Sequence, residues 1–142
     1  MYSCFRVVDH FYSRPYYLLD EALTWARAEQ RCSEGNDGYL AAANSAEQFD
    51  FLRGLYDKYR NQSGSAVGSW IDGKFDNATN KWVCDAYVYG ANTACLAEML
   101  WASGEPDHED TDRCIGVWYQ QPDGVVNCNC SKKGLAICAT FR

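Results

Sequence analysis

Carboxylates crowd one short stretch of this chain. Glu105-Pro106-Asp107-His108-Glu109-Asp110-Thr111-Asp112 places five acids within eight residues. Glu105 and Asp107 flank Pro106. Alternating carboxylates of this kind suit a hard cation, which takes six to eight oxygen ligands. The plainer reading is a solvated acidic loop. An EF-hand does not fit, because its glycine and terminal glutamate are missing. Glu105 and Asp107 could in principle share glycosidase acid–base work, but their alternation about a proline suits ligation better. Other catalysis has little to stand on. The chain has two histidines, His10 and His108, and no Gly-x-Ser-x-Gly elbow, His-Glu-x-x-His or phosphate loop. The expectation is a binding protein and not an enzyme.

The second chemical feature is sulfur. Cys4, Cys32, Cys84, Cys95, Cys114, Cys128, Cys130 and Cys138 are spread over 142 residues. An even, high count points to a disulfide framework and an oxidising compartment. Reduced core thiols and zinc are the alternatives. Zinc is disfavoured because no Cys-x-x-Cys pair exists, and Cys128-Asn129-Cys130 has no second pair at finger spacing. No signal peptide follows Met1, so the expectation is a mature secreted protein carrying an initiator Met. Asn61-Gln62-Ser63, Asn77-Ala78-Thr79 and Asn129-Cys130-Ser131 are glycosylation sequons.

Composition bounds the partners. Thirteen basic residues against 19 acidic ones give a net charge of −6. That balance argues against nucleic acid, which requires a basic footprint. Apolar residues at 47% and aromatics at 15% are enough for a packed core. No apolar run is long enough to span a membrane.

The elements that must position the acids can be read from periodicity. Cys4 to Leu19 is aromatic-rich and contains Pro15, which predicts short strands with a bend. Thr24 can N-cap a helix over Trp25–Cys32, with Trp25, Ala28 and Cys32 on one face. Ser45 and Gln48 form a capping box opening a second helix with Phe49, Leu52 and Tyr56 as its core stripe. That helix is expected to fade before Asn61. Residues 69–73, 81–83, 114–119, 125–130 and 134–141 read as strands. Asp85 to Asp112 is expected to be a long, mostly irregular loop, and such loops are usually functional. Two helices followed by strands predict an α+β fold.

In order and spacing, Thr24-Trp25, Ala28, Cys32, Ser69-Trp70-Ile71-Asp72-Gly73, Trp101, Glu105-Pro106-Asp107, Cys114, Cys130 and Cys138 resemble a C-type lectin domain. The resemblance spans about Tyr16 to Phe141. Trp-Ile-x-Gly alone is weak, and the proline triplet is weaker; together with the cysteine spacing they are strong. The resemblance implies one C-type lectin-like domain over residues 1–142, with two helices, antiparallel sheets and a disulfide-stapled binding loop. It implies the bridges Cys32–Cys138 and Cys114–Cys130. Cys84 with Cys95 is the expected third bridge. Cys4 and Cys128 are left for a link between chains in a homodimer.

In that family a calcium ion on the long loop bridges to sugar hydroxyls. By position, the ligands here would be Glu105, Asp107, Asp112 and Asn127, which would also hydrogen-bond the sugar, and Pro106 would be cis. Val125-Val126-Asn127 departs from the family's Trp-Asn-Asp. Val126 cannot ligate, and Asn127 offers an amide where a carboxylate is expected. Three carboxylates and one amide remain, or the strand slips and Asn129 contributes. Calcium stays open on the sequence. The triplet mixes mannose-type Glu-Pro-Asn with galactose-type Gln-Pro-Asp, so either class, including N-acetylated sugars, is possible. Trp118 and Tyr119 could stack on a sugar; their plainer role is core packing.

Two functions follow from the resemblance. One is a secreted carbohydrate-binding lectin of the kind used in innate immunity, oligomeric for avidity. The other is the same fold with a degenerate metal site, binding sugar without calcium or binding a protein, ice or mineral surface.

Overall fold

Leu18 and Leu19 of one strand face opposite ways, and each founds a separate core. The computed structural model describes residues 6–34, 38–63, 68–84, 93–94 and 100–140. Its strands are β1 (Arg6–Phe11), β2 (Arg14–Leu23), β3 (Gly38–Leu40), β4 (Ser69–Asp76), β5 (Lys81–Cys84), β6 (Thr93–Ala94), β7 (Cys114–Val117), β8 (Val126–Cys128) and β9 (Gly134–Thr140). Its helices are α1 (Trp25–Ser33) and α2 (Ala46–Ser63).

The helices start where their caps predict. Thr24 accepts from the Arg27 amide at 3.4 Å. Ser45 accepts from the Gln48 amide at 3.1 Å, and Gln48 Oε1 reaches back to the Asn44 amide at 2.8 Å. The box therefore closes one residue earlier than a strict Ser45–Gln48 exchange. Gln48 is buried and its Nε2 also donates to the Tyr16 hydroxyl at 2.9 Å, tying α2 to β2. α2 runs to Ser63, past the expected end before Asn61. Asn, Gln and Ser weaken a helix only mildly, so Asn61-Gln62-Ser63 does not force an earlier end.

β9 is the hub. It pairs antiparallel with β2 and β3 and parallel with β4. The parallel pair, Ser69 with Leu135 and Trp70 with Ala136, makes the sheet mixed where the resemblance implied antiparallel sheets. Alternation announces a strand but not its direction. The six consecutive buried residues Gly134–Ala139 mark a strand covered on both faces. On one face Leu18, Ile71, Leu135 and Ile137 meet Phe49, Leu52 and Tyr56 of α2. On the other, Leu19, Leu23, Trp70 and Ala136 meet Trp25 and Ala28 of α1. The two tryptophans lock this second core reciprocally: Trp25 Nε1 donates to Ile71 O and Trp70 Nε1 to Leu23 O, both at 2.9 Å.

β1 and β2 form a hairpin through Tyr12 and Ser13, both left-handed with φ of 50° and 67°. Two disulfides match the resemblance. Cys32–Cys138 joins α1 to β9 across 106 residues, and Cys114–Cys130 joins β7 to the turn after β8 across 16. Cys84 is also disulfide-bonded. Its expected partner, Cys95, lies outside the described residues, as does Cys4. Cys128 is a free thiol. Among the described residues, no helix is long and apolar enough to cross a membrane.

Candidate functional site

The acidic run hangs from a scaffold made by β7, β8 and the segment leading into β8. Val125 is the anchor. Its amide donates to Leu100 O at 2.8 Å, and its carbonyl accepts from the Ala102 amide at 2.9 Å. This close approach requires Gly124: a Cβ there would lie 2.4 Å from Leu100 O and 2.5 Å from Ala102 N. Asp123 Oδ2 adds bonds from the Ser103 amide at 3.2 Å and hydroxyl at 2.8 Å. The same two bonds hold its pKa below the usual carboxylate value. From that base the chain turns through Glu105, with Glu105 N donating to Ala102 O at 2.9 Å, into a cis Glu105–Pro106 peptide.

Asn127 closes the far side. It is 4% exposed, and its side chain is spent on the loop backbone. Oδ1 accepts from the Asp107 amide at 3.1 Å. Nδ2 donates to Asp107 O at 2.6 Å and to Asp112 O at 2.8 Å. One buried amide thus holds both acids in place. The strand register is unslipped, with Asn127 opposite Ile115. Asn129, the fallback ligand, instead accepts from the Ser131 amide at 2.9 Å in the turn after β8. Val126 is 2% exposed and belongs to the core.

Glu105 is half-buried. Its Oε2 accepts from Gln121 Nε2 at 2.6 Å, while its buried Oε1 has no hydrogen-bond partner. Burial, and next to it the charge of Asp107, push the Glu105 carboxyl above its ordinary pKa. Asp107, His108 and Asp112 bring ligand atoms within 4.8 Å of one another. Hard oxygen donors, an orphaned buried carboxylate oxygen and mutual repulsion together fit a cation. Asp107 and Asp112 stand in that group; Glu105, expected as a ligand, lies outside it and meets Asp107 through its charge.

Trp118 and Tyr119 are engaged elsewhere. Lys132 Nζ sits 4.3 Å from the Trp118 ring centroid, and the ring lies so close to Gly68 that a Cβ there would collide with it at 1.9 Å. The Arg60 guanidinium covers Tyr119 at 4.7 Å. Arg53 Nη1 donates to Trp118 O at 2.6 Å and Nη2 to Tyr119 O at 3.3 Å. Among the described residues, no hydrogen bond or ring contact joins either aromatic side chain to the four polar residues. Tyr119 packs against the larger core, whereas Trp118 is half-buried and belongs to neither core.

Three positioning residues escaped the sequence reading. Gln121 orients Glu105, Gly124 admits the Leu100–Ala102 segment, and Arg113 ties the loop to the β4–β5 hairpin. Arg113 Nε donates to Glu109 O at 2.9 Å, Nη1 donates to Asn77 Oδ1, and the guanidinium lies 5.2 Å from the Phe75 ring centroid. The Pro122-Asp123-Gly124 turn signal was the only hint. Cys128 is held protonated: burial, with Asp112, Glu105 and Asp107 adding to it and Lys132 opposing, pushes the thiol up to about 12.

Comparison with known proteins bears on the fold and the family. Rat (Rattus norvegicus) lithostathine is 26% identical over 103 residues, which is 72% of this chain and 56% of that protein. The chain therefore spans little more than half the length of that curated relative. The C-type lectin CEL-I from Cucumaria echinata superposes with a TM-score of 0.75 over 96% of both chains at 14% identity. A calcium-independent type II antifreeze protein gives 0.70 at 19% identity, over 94% of this chain and 91% of its own. These structural likenesses establish the fold. The family model described as Lectin C-type domain matches residues 21–140, so with its two helices, mixed sheet and bridged loop this chain belongs to the C-type lectin domain family.

Proposed function

We propose that this chain is a carbohydrate-binding module, one domain in extent, that takes saccharide hydroxyls at the Glu105-Pro106-Asp107 loop around a calcium ion held by Glu105, Asp107 and Asp112. The observation that carries this reading is Glu105 Oε1, a buried carboxylate oxygen with no donor, on a group whose pKa burial and Asp107 have raised. Such a group lacks a positive charge beside it. Asn127 is here a positioning residue, because its side-chain atoms already serve the backbone. When bound, the ion would supply a Lewis-acidic centre that two vicinal hydroxyls can share. The carboxylates would accept hydrogen bonds from the same hydroxyls. The mixed triplet keeps mannose-type, galactose-type and N-acetylated sugars as the panel to test. The disulfides support an extracellular setting, and a homodimer through Cys4 would add avidity.

A metal-free reading has its own observation in favour. The Asn127 amide holds the loop closed by donating to two carbonyls, with no ion needed. A structural neighbour is by its own description calcium-independent. On this reading the fold binds sugar, protein, ice or mineral without calcium.

A glycan array run in calcium and again in chelator separates the readings. Binding that the chelator removes, and that Glu105→Ala abolishes, is the expected result. Binding unchanged by chelator moves the chain to the metal-free reading. No binding in either condition overturns saccharide recognition altogether.

A further inference from the structure

We propose that the molecule carries a second ligand site, a cleft between the β1–β2 hairpin and the start of α2 that takes a small hydroxy monocarboxylate. It stands apart from the calcium reading, because none of its lining residues belongs to the Glu105–Asp112 loop.

The cleft holds about 560 Å³, within the range of small-ligand pockets. Phe11, Tyr12, Arg14 and Tyr16 line it from the hairpin, and Asn44 and Glu47 from the segment that opens α2. These walls are braced before any ligand arrives. Gln48 Nε2 donates to the Tyr16 hydroxyl at 2.9 Å. Arg14 Nη1 donates to the Tyr39 hydroxyl at 3.0 Å and to Thr140 O at 2.7 Å. The Phe11 ring centroid stands 6.3 Å from Tyr16 and 4.6 Å from Tyr12, so ring contact runs from the core out to Tyr12.

Three features of the cleft call for a ligand. Arg14 spends Nη1 on two neutral oxygens, and among the described residues no ion pair includes it. Asn44 Oδ1 is a buried acceptor with no donor. Tyr12 is 78% exposed, the one large apolar side chain left in water among the described residues. Its ring is nevertheless fixed. The backbone is left-handed at φ of 50°, and the hydroxyl donates to Glu47, 3.1 Å from both oxygens.

Each feature selects one group on the ligand. A guanidinium with donors to spare pairs with a carboxylate. A buried amide oxygen without a donor takes a hydroxyl. A fixed ring offers its face to an apolar one. Glu47 repels a second negative charge, which limits the ligand to a monoanion. Its oxygens are committed to Tyr12, so no free carboxylate in the cleft waits for an ammonium group. A sugar acid and an aromatic hydroxy acid share this chemistry, and glucuronate and phenyllactate are their probes.

The test is calorimetric titration of the disulfide-intact chain in chelator, with glucose and phenyllactamide as neutral counterparts. Running it without calcium keeps its outcome independent of the metal loop. The expected result is one-to-one binding of at least one carboxylate, and whichever binds names the source. Its neutral counterpart should bind about tenfold or more weakly, the scale of a hydrogen bond to a charged group. Arg14→Gln should lose as much. Arg14 also ties β2 to Tyr39 and Thr140, so Tyr12→Ala, at an exposed position, carries the same expectation without disturbing those bonds. Binding of neither carboxylate, equal binding of the neutral counterparts, or affinity unchanged in Tyr12→Ala would each overturn the proposal.

Discussion

Asn127 and an aspartate differ by one NH₂ group, and that group decides what closes the loop. The amide donates to Asp107 O and Asp112 O, two carbonyls that a carboxylate would repel. Asn127→Asp should destabilise the chelated protein by about 2 kcal/mol or more, the scale of unsatisfied buried polar groups. On the proposed calcium reading the ion should restore the loss, because the new carboxylate would join its ligands. Urea unfolding in chelator and in calcium measures both, and equal midpoints for variant and wild type in chelator would show that the amide is not the clamp. Glu105 gives a pH prediction. Its pKa is raised in the native state, so the cation-free protein binds that proton more tightly folded than unfolded. Stability should therefore fall as pH rises from the ordinary glutamate range through the raised value. Glu105→Gln should flatten that slope in chelator; an identical pH profile would remove Glu105 as its source. The acids of the site were legible because their distances from Cys114 and Cys130 are fixed along the chain. The spending of Asn127's atoms was not legible, nor was Gln121 reaching Glu105 across 16 residues, because sequence gives residue types and not the folded neighbours that claim them.

At the level of elements, the β1–β2 turn asks most of its residues. Tyr12 and Ser13 both take left-handed backbone, the arrangement that favours Asn-Gly in a two-residue hairpin. Tyr12 is 78% exposed and is held by its hydroxyl, 3.1 Å from both oxygens of Glu47 on α2. Ser13 makes no comparable contribution. Ser13→Gly should stabilise the protein by about 0.5–1 kcal/mol by removing the Cβ strain at φ of 67°. A lower melting temperature for the variant would contradict this. Helix starts were readable from Thr24 and from Ser45 with Gln48, because capping is local chemistry. The end of α2 and the parallel β4–β9 pair were not, since both depend on what the segment packs against.

Across the whole molecule the two described bridges differ in reach. Cys32–Cys138 closes 106 residues and Cys114–Cys130 closes 16. In the chain-entropy account, replacing the first pair with alanines should cost about 4–5 kcal/mol and the second about 3 kcal/mol. Denaturant midpoints of the two double variants give the ranking, and the reverse order would place strain or residual structure above loop length. The reach of the long bridge follows from β9, which lies between β2, β3 and β4 and carries Cys138. Every strand it pairs with is synthesised before it. While the chain is being made, β2, β3 and β4 lack the strand that joins them, and Cys32 is already out while Cys138 is not. A domain ordered this way matures late and all at once, at the slow pace of distant contacts. Its half-made form is a set of unmatched thiols and open strand edges, which is the stage at which an isomerase or a holdase would matter most.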